Sequence, residues 1–140
     1  MALFARKRAD EAAASGNRVV IVDDDEALAR QIVAFLTRSG IPALHEGDGM
    51  SAVETVRQRR PDVVVMDIDM PGMDGVEAAR IIASEAPQTR LILMSGYIDQ
   101  MRRANAAGVD VFAIVDKPLP LHMLVRFIRD ALGNGRPAAF

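Results

Sequence analysis

Four short, continuous apolar runs limit the folds that this chain can adopt. They are "VVIV" (19–22), "VVVM" (63–66), "LILM" (91–94) and "VFAIV" (111–115). Runs of this length without polar alternation are typical of strands that are covered on both faces, as in a parallel sheet. The segment "PALHE" (42–46) is less apolar, and it predicts a further short strand at a sheet edge.

Apolar residues at helical spacing follow these runs. After the first run, one such stripe is formed by Leu28, Ile32, Phe35 and Leu36. Gly40 follows it in the way a glycine ends a helix, and Asp48 is placed to cap the next helix, in which we expect Met50 to face the core. The later helices are predicted at 49–60, at 75–86, more weakly at about 98–107, and at 120–132. Strand and helix alternate five times, which predicts an α/β fold: a right-handed, doubly wound (βα)5 arrangement around a five-stranded parallel sheet.

Composition excludes several classes of function. The chain of 140 residues has no cysteine and two histidines, so thiolate sites are excluded and a histidine-rich zinc site is disfavoured. Any metal is then expected to be a hard, oxygen-bound cation such as Mg²⁺ or Ca²⁺. The net charge of -2 gives no general reason to expect nucleic acid or an anionic membrane as a partner. The apolar runs are too short to span a bilayer and the first residues do not resemble a secretory signal, so we expect a cytoplasmic protein.

Polar side chains follow four of the predicted strands. Asp23, Asp24 and Asp25 follow the first run, Asp67 follows "VVVM", Ser95 follows "LILM", and the pair "KP" (117–118) follows "VFAIV". Doubly wound sheets bind ligands beyond the carboxyl ends of their strands, so these groups are expected to meet at one edge. Carboxylates can hold Mg²⁺, while a lysine and a hydroxyl can bind phosphoryl oxygens. An aspartate can itself act as the nucleophile and form an acyl phosphate.

The stretch "VVVMDIDMPGMDG" (63–75) contains three aspartates, Asp67, Asp69 and Asp74, which could belong to a calcium loop. If Asp67 were the first ligand of an EF-hand loop, Pro71 would stand at the fifth position and Ala78 at the twelfth, where a bidentate acid is required. The spacing therefore excludes this loop, and Asp74 is expected to shape the turn before the third helix.

A second interpretation is a haloacid-dehalogenase-like phosphatase. The "DID" segment (67–69) resembles the motif of that family, which also places a serine or threonine and then a lysine at later strand ends. In that family, however, the magnesium acids come last in the chain, whereas "DDDE" (23–26) comes first here. The nucleophile of that family also usually lies near the N-terminus, whereas Asp67 follows the third predicted strand. The phosphatase is retained as an alternative.

The order of the motifs resembles a CheY-like receiver domain, the phosphoacceptor module of two-component response regulators. The resemblance rests on "DDDE", on "D…MPGMDG" (67–75), on Ser95 and on "KP", in that order. It covers about 18–132, which leaves 1–17 and 133–140 as tails. It implies a flavodoxin-like sheet with strand order 2-1-3-4-5.

The resemblance also implies roles for the acids. Asp67 would be the phosphoacceptor and a ligand of Mg²⁺. Asp24 would bind the metal directly, and Asp23 largely through water. Asp69 would contribute its backbone carbonyl to the same ion.

The remaining roles concern the later strands. Lys117 would pair first with the Asp67 carboxylate and then with the phosphoryl group, and Ser95 would hydrogen-bond a phosphoryl oxygen and draw its loop inward. Receivers commonly carry an aromatic switch residue three positions before the lysine, where this chain has Ile114. Tyr97 is close to the site in sequence and is a candidate substitute for that ring. Pro118 is expected to follow a cis peptide bond, as in the family.

The resemblance predicts a stand-alone receiver rather than an enzyme, one that catalyses only its own phosphorylation and dephosphorylation. Its phosphodonor would be a histidine kinase or a histidine phosphotransfer protein. Its output would be contact with a downstream protein rather than with nucleic acid or membrane. Besides the phosphatase, the alternative is a receiver that forms part of a hybrid kinase or of a larger regulator.

Overall fold

The apolar runs form a five-stranded parallel sheet in the computed structural model, which describes residues 18–70, 75–96 and 108–133. The strands are β1 (Val19–Val22), β2 (Ala43–Glu46), β3 (Val63–Asp67), β4 (Arg90–Ser95) and β5 (Ala113–Asp116). The helices are α1 (Glu26–Arg38), α2 (Gly49–Arg59), α3 (Gly75–Glu85) and α4 (Leu121–Leu132). The strand order is β2-β1-β3-β4-β5, which confirms the predicted flavodoxin-like topology, with β2 at an edge.

Helices cover both faces of the sheet. Along each strand, side chains alternate between the two faces, so each apolar run supplies both layers of the core. One layer lies under α1 and α4 and includes Val19, Ile21, Val63, Val65, Ile92 and Met94. The other lies under α2 and α3 and includes Val20, Val22, Val64, Met66, Leu91 and Leu93. This two-sided burial is the reason that the runs are continuously apolar rather than alternating.

Short polar residues cap the starts of α1 and α2, and a glycine follows the end of α1. The Asp25 side chain accepts a hydrogen bond from the Leu28 amide and caps α1. Gly40, just beyond the end of α1, has a φ of +81°, a left-handed conformation that favours glycine. The Asp48 side chain caps α2 in the same way through the Ser51 amide. The predicted helix-ending glycine and the predicted cap at Asp48 are therefore confirmed, and the structure adds the cap at Asp25.

The structure differs from the sequence prediction at several points. Met50 does not face the core, because its side chain is 70% exposed. The buried residues of α2 are Gly49, Ala52, Val53 and Val56, and the helical rotation of about 100° per residue places Met50 outside that stripe. The last strand begins at Ala113 rather than at position 111, and it ends at Asp116. The helix predicted at 98–107 and Asp74 lie outside the described residues, as do the segments 1–17 and 134–140.

Parallel register brings the ends of the strands to one edge. Val22 of β1 pairs with Met66 of β3, so Asp23 and Asp67 both stand one residue further along. Asp67 in turn pairs with Met94 of β4, which precedes Ser95. Ser95 pairs with Asp116 of β5, which precedes Lys117. Four strands thus bring these residues, at or just beyond their ends, to the same edge of the sheet, as the sequence predicts.

Candidate functional site

Three carboxylates from two strand ends form a cluster. Asp23 and Asp24 follow β1, Asp67 ends β3, and one carboxylate oxygen of each lies within 4.8 Å of the others. Asp23 is completely buried and Asp67 is 7% exposed, whereas Asp24 is exposed to solvent. A hard, oxygen-bound cation such as Mg²⁺ requires this set of donors: a few carboxylates and an open side that admits water. The residues present therefore fit a magnesium ion.

Lys117 supplies the positive charge at the cluster. Its Nζ lies 2.9 Å from Asp67 Oδ2 and 3.3 Å from Asp23 Oδ2. The Lys117 amide donates to the Ser95 carbonyl oxygen at 2.7 Å, which ties the loop after β5 to the end of β4. The Lys117–Pro118 peptide bond is cis, as predicted. The ammonium group is thus held against two buried acids.

The pKa values of Lys117 and Asp23 both lie above their ordinary values, for different reasons. Burial lowers the pKa of Lys117, but the hydrogen bond to Asp67 and the charges of Asp67 and Asp23 outweigh it, so the pKa lies above its ordinary value. Burial raises the pKa of Asp23, and the Asp25 amide and Lys117 offset only part of that effect. Lys117 is therefore protonated at neutral pH, which makes it a permanent cation at the site.

Backbone amides hold the two buried carboxylates in place. The Asp69 amide donates to Asp67 Oδ1 at 3.0 Å, and the Asp25 amide donates to Asp23 Oδ1 at 2.9 Å. Each of these carboxylates therefore uses one oxygen for a backbone amide and the other for Lys117. Carboxylates fixed in this way need little reorganisation when charge develops beside them.

The other predicted site residues differ in burial and in their contacts with this cluster. Ser95 is fully buried at the end of β4, one residue beyond the register partner of Asp67. Asp69 is exposed and touches the cluster through its amide. Ile114 is half-buried on β5 and packs on the side of α2 and α3. Tyr97 lies outside the described residues. The roles assigned to all of these residues stay predictions.

Comparison with known proteins identifies the family. Residues 19–129 match the family model described as the response regulator receiver domain. The chain belongs to this family. As a receiver, it is a domain of two-component response regulators, and the expectation from the sequence motifs is confirmed.

Curated relatives agree with the family. Over 116 residues the receiver is 33% identical to the regulatory protein AtoC of Escherichia coli, covering 83% of this chain and 25% of that protein. Over 111 residues it is 31% identical to the DNA-binding response regulator MtrA of Mycobacterium tuberculosis, covering 78% of this chain and 49% of that protein. The receiver thus spans a quarter to about half of the length of these relatives.

The fold is also shared with solved structures. A response regulator receiver domain protein from Clostridium thermocellum superposes with a TM-score of 0.77 at 22% identity, over 84% of this chain and 95% of that one. The chemotaxis protein CheY4 of Vibrio cholerae superposes with a TM-score of 0.72 at 20% identity, over 84% and 99%. At these identities the likeness shows the fold alone.

Two residues beside the site of the receiver make contacts that the sequence analysis does not predict. Gly75 begins α3 directly against the end of β3, and a Cβ at this position would overlap the Ile68 Cα and the Asp67 carbonyl oxygen. A glycine at the start of a predicted helix is a weak signal of such a close approach. His45 on β2 donates a hydrogen bond to the Asp23 carbonyl oxygen. Its proximity to the site depends on the register in which β2 pairs with β1, which the predicted strand order does not specify.

Proposed function

We propose that this receiver accepts a phosphoryl group on Asp67 from a phosphohistidine donor, with Mg²⁺ required. The observation that supports it best is the surroundings of the Asp67 carboxylate, which lies 2.9 Å from the Lys117 ammonium group and clusters with the carboxylates of Asp23 and Asp24. A lysine and a set of metal-binding acids around one carboxylate supply what phosphoryl transfer requires, which is mostly positioning and charge neutralisation.

In the proposed reaction, a carboxylate oxygen of Asp67 attacks phosphorus as the bond to the imidazole nitrogen of the donor breaks. The products are an acyl phosphate on Asp67 and an imidazole that keeps the electron pair of the broken bond. Lys117 passes from the carboxylate to a phosphoryl oxygen, and Ser95 donates its hydroxyl hydrogen to another. Asp23, Asp24, Asp67 and the Asp69 carbonyl would hold Mg²⁺. When bound, the ion would neutralise charge on the phosphoryl oxygens.

The partners follow from this chemistry. The donor is a histidine kinase or a histidine phosphotransfer protein, and the output is contact with a downstream protein. A net charge of -2 does not favour direct nucleic-acid binding by the receiver itself. The relative MtrA is named a DNA-binding response regulator and is about twice as long as the matched segment, so a receiver within a larger regulator is the alternative.

We place the protein in the cytoplasm, where the proposed phosphodonors present their histidines. In the parts of the chain that the structure describes, every helix is too short or too polar to cross a bilayer. The proposed location agrees with that finding and rests on the two-component role.

We propose that the protein is not a phosphatase acting on small esters but catalyses only its own phosphorylation and dephosphorylation. The family match supports this over the dehalogenase-like interpretation. Incubation with a chromogenic phosphoester distinguishes the two. A receiver gives no sustained release of product, whereas a phosphatase gives many turnovers per molecule.

The proposal is tested by incubating the protein with Mg²⁺ and acetyl phosphate and measuring its intact mass. We expect addition of one phosphoryl group, removal of that group by hydroxylamine, and no addition when the metal is chelated. Asp67→Asn should remain unmodified. Asp62→Asn makes the same chemical change at the opposite end of β3, where the carboxylate is exposed and paired with Arg18, and it should be modified like the wild type. Modification that persists in Asp67→Asn would refute the assignment.

A further inference from the structure

His45 lies on the edge strand β2 and contacts the backbone of Asp23, the residue that directly follows β1. Its Nε2 is 2.9 Å from the Asp23 carbonyl oxygen, and the ring is partly buried. Side chains alternate along a strand, and Ala43 packs into the layer under α1, so His45 projects on that same side of the sheet. Glu46 projects to the other side and accepts a hydrogen bond from Thr55 on α2.

The contact completes a set of restraints on Asp23. Its amide donates to the Glu46 carbonyl oxygen at 3.1 Å, and its own carbonyl accepts from His45. Its two carboxylate oxygens accept from the Asp25 amide and from Lys117. Every polar atom of Asp23 therefore has a hydrogen-bonding partner within the protein.

The Asp23 carbonyl belongs to the peptide group that joins Asp23 to Asp24. A hydrogen bond to that oxygen restrains rotation of the peptide plane, and the plane determines the direction in which the Asp24 side chain leaves the backbone. Asp24 is exposed, and none of the hydrogen bonds that hold Asp23 involves the Asp24 carboxylate. Its position in the carboxylate cluster thus depends on the backbone that carries it.

We propose that His45 is a positioning residue for the magnesium site, one that holds the peptide group between Asp23 and Asp24 without contacting the ion. The inference rests on the proposed function, because it assigns a task toward the metal. A carbonyl oxygen only accepts, so Nε2 carries the hydrogen. The neutral Nε2–H tautomer and the imidazolium ion both meet this requirement, so the positioning does not depend on the charge of the ring.

The test uses variants of the full chain. They distinguish the effect of losing the hydrogen-bond donor from the effect of losing the volume of the ring. His45→Leu removes the donor and keeps an apolar side chain of moderate size. His45→Gln places an amide Nε2–H near the same point and should restore the contact. His45→Asn carries an amide that ends short of the carbonyl, so it repeats the loss with a polar side chain. His122→Leu on α4 removes the other histidine, which is exposed, as the control.

Two measurements report on the site rather than on stability. Isothermal titration calorimetry with MgCl₂ at constant ionic strength gives the Kd for Mg²⁺. The rate of labelling by acetyl phosphate, measured at increasing Mg²⁺ concentrations, gives the half-saturating Mg²⁺ concentration and the maximal rate. We expect His45→Leu and His45→Asn to raise both the Kd and the half-saturating concentration about tenfold, the scale of outer-shell substitutions at metal sites. The maximal rate at saturating Mg²⁺ should be unchanged. His45→Gln and His122→Leu should behave like the wild type.

The outcomes separate this inference from the function on which it rests. If His45→Leu and His45→Asn bind Mg²⁺ as tightly as the wild type, or if His45→Gln binds as weakly as they do, His45 does not position the site. In either case a wild type that binds Mg²⁺ and an Asp24→Asn variant that does not would leave the proposed function standing. A wild type that binds no Mg²⁺ would overturn both.

Discussion

Replacing Gly75 by alanine should damage both the stability and the chemistry of this receiver. Gly75 begins α3 and donates a backbone hydrogen bond to the Ile68 carbonyl oxygen at 3.3 Å. An alanine Cβ would overlap the Ile68 Cα and the Asp67 carbonyl oxygen. Both are backbone atoms at the end of a buried strand, so they cannot move away as the tip of a flexible side chain can.

The magnitude follows from two opposing effects. Overpacking of a well-packed interior costs about 1–3 kcal/mol, and contact with backbone atoms places this site near the upper value. In a helix interior alanine is favoured over glycine by about 1 kcal/mol, which is an upper limit for the offset at Gly75, the first residue of α3. The expected net loss is roughly 2 kcal/mol in the free energy of unfolding. The helix must also move away from Asp67, and a displacement of about 1 Å at a reacting group can slow a reaction about 100-fold.

Urea denaturation gives the free energy of unfolding, and the rate of labelling by acetyl phosphate at saturating Mg²⁺ gives the chemical effect. Gly47→Ala is the matched control, because a Cβ at position 47 meets no atom within 4 Å. We expect the control to match the wild type in both measurements. A Gly75→Ala variant that is as stable as the wild type and is labelled at the same rate would show that the close approach of α3 to β3 has no consequence.

Two further predictions concern charged groups. Lys117→Ala should accept phosphate from acetyl phosphate about 100-fold more slowly or not at all, because it removes the cation beside Asp67. Intact-mass measurement over time checks this, and labelling at the wild-type rate would exclude Lys117 from the site. Glu85→Gln should weaken the contact between α2 and α3, since Arg57 donates two hydrogen bonds to the Glu85 carboxylate and lowers its pKa below the ordinary 4.5. That stabilisation is present above the unfolded-state pKa and is lost as the pH falls through the folded-state pKa, so the stability difference measured by urea denaturation should shrink toward zero in acid. A difference that does not depend on pH would contradict this.

Much of the fold follows from local patterns in the chain. Continuous apolar runs are typical of strands that helices cover on both faces, so "VVIV" and "VVVM" favour a parallel sheet. Asp25, Asp48 and Gly40 mark helix ends through chemistry that acts within a few residues. The acids, the serine and the lysine that follow the strands could likewise be assigned to one edge, because parallel strands all end on the same side.

Three features depend on which elements pack together. The direction of the Met50 side chain depends on how α2 is rotated about its axis against the sheet. The spacing of apolar residues along the helix does not specify that rotation. The contact between His45 and the Asp23 carbonyl depends on the pairing of β2 with β1. The close approach of Gly75 to Asp67 depends on the angle at which α3 leaves β3. Periodicity and capping are properties of a few neighbouring residues, so they can be predicted from the sequence. Register, rotation and approach are set by the packing of residues distant in sequence, and they appear only once the sheet is assembled.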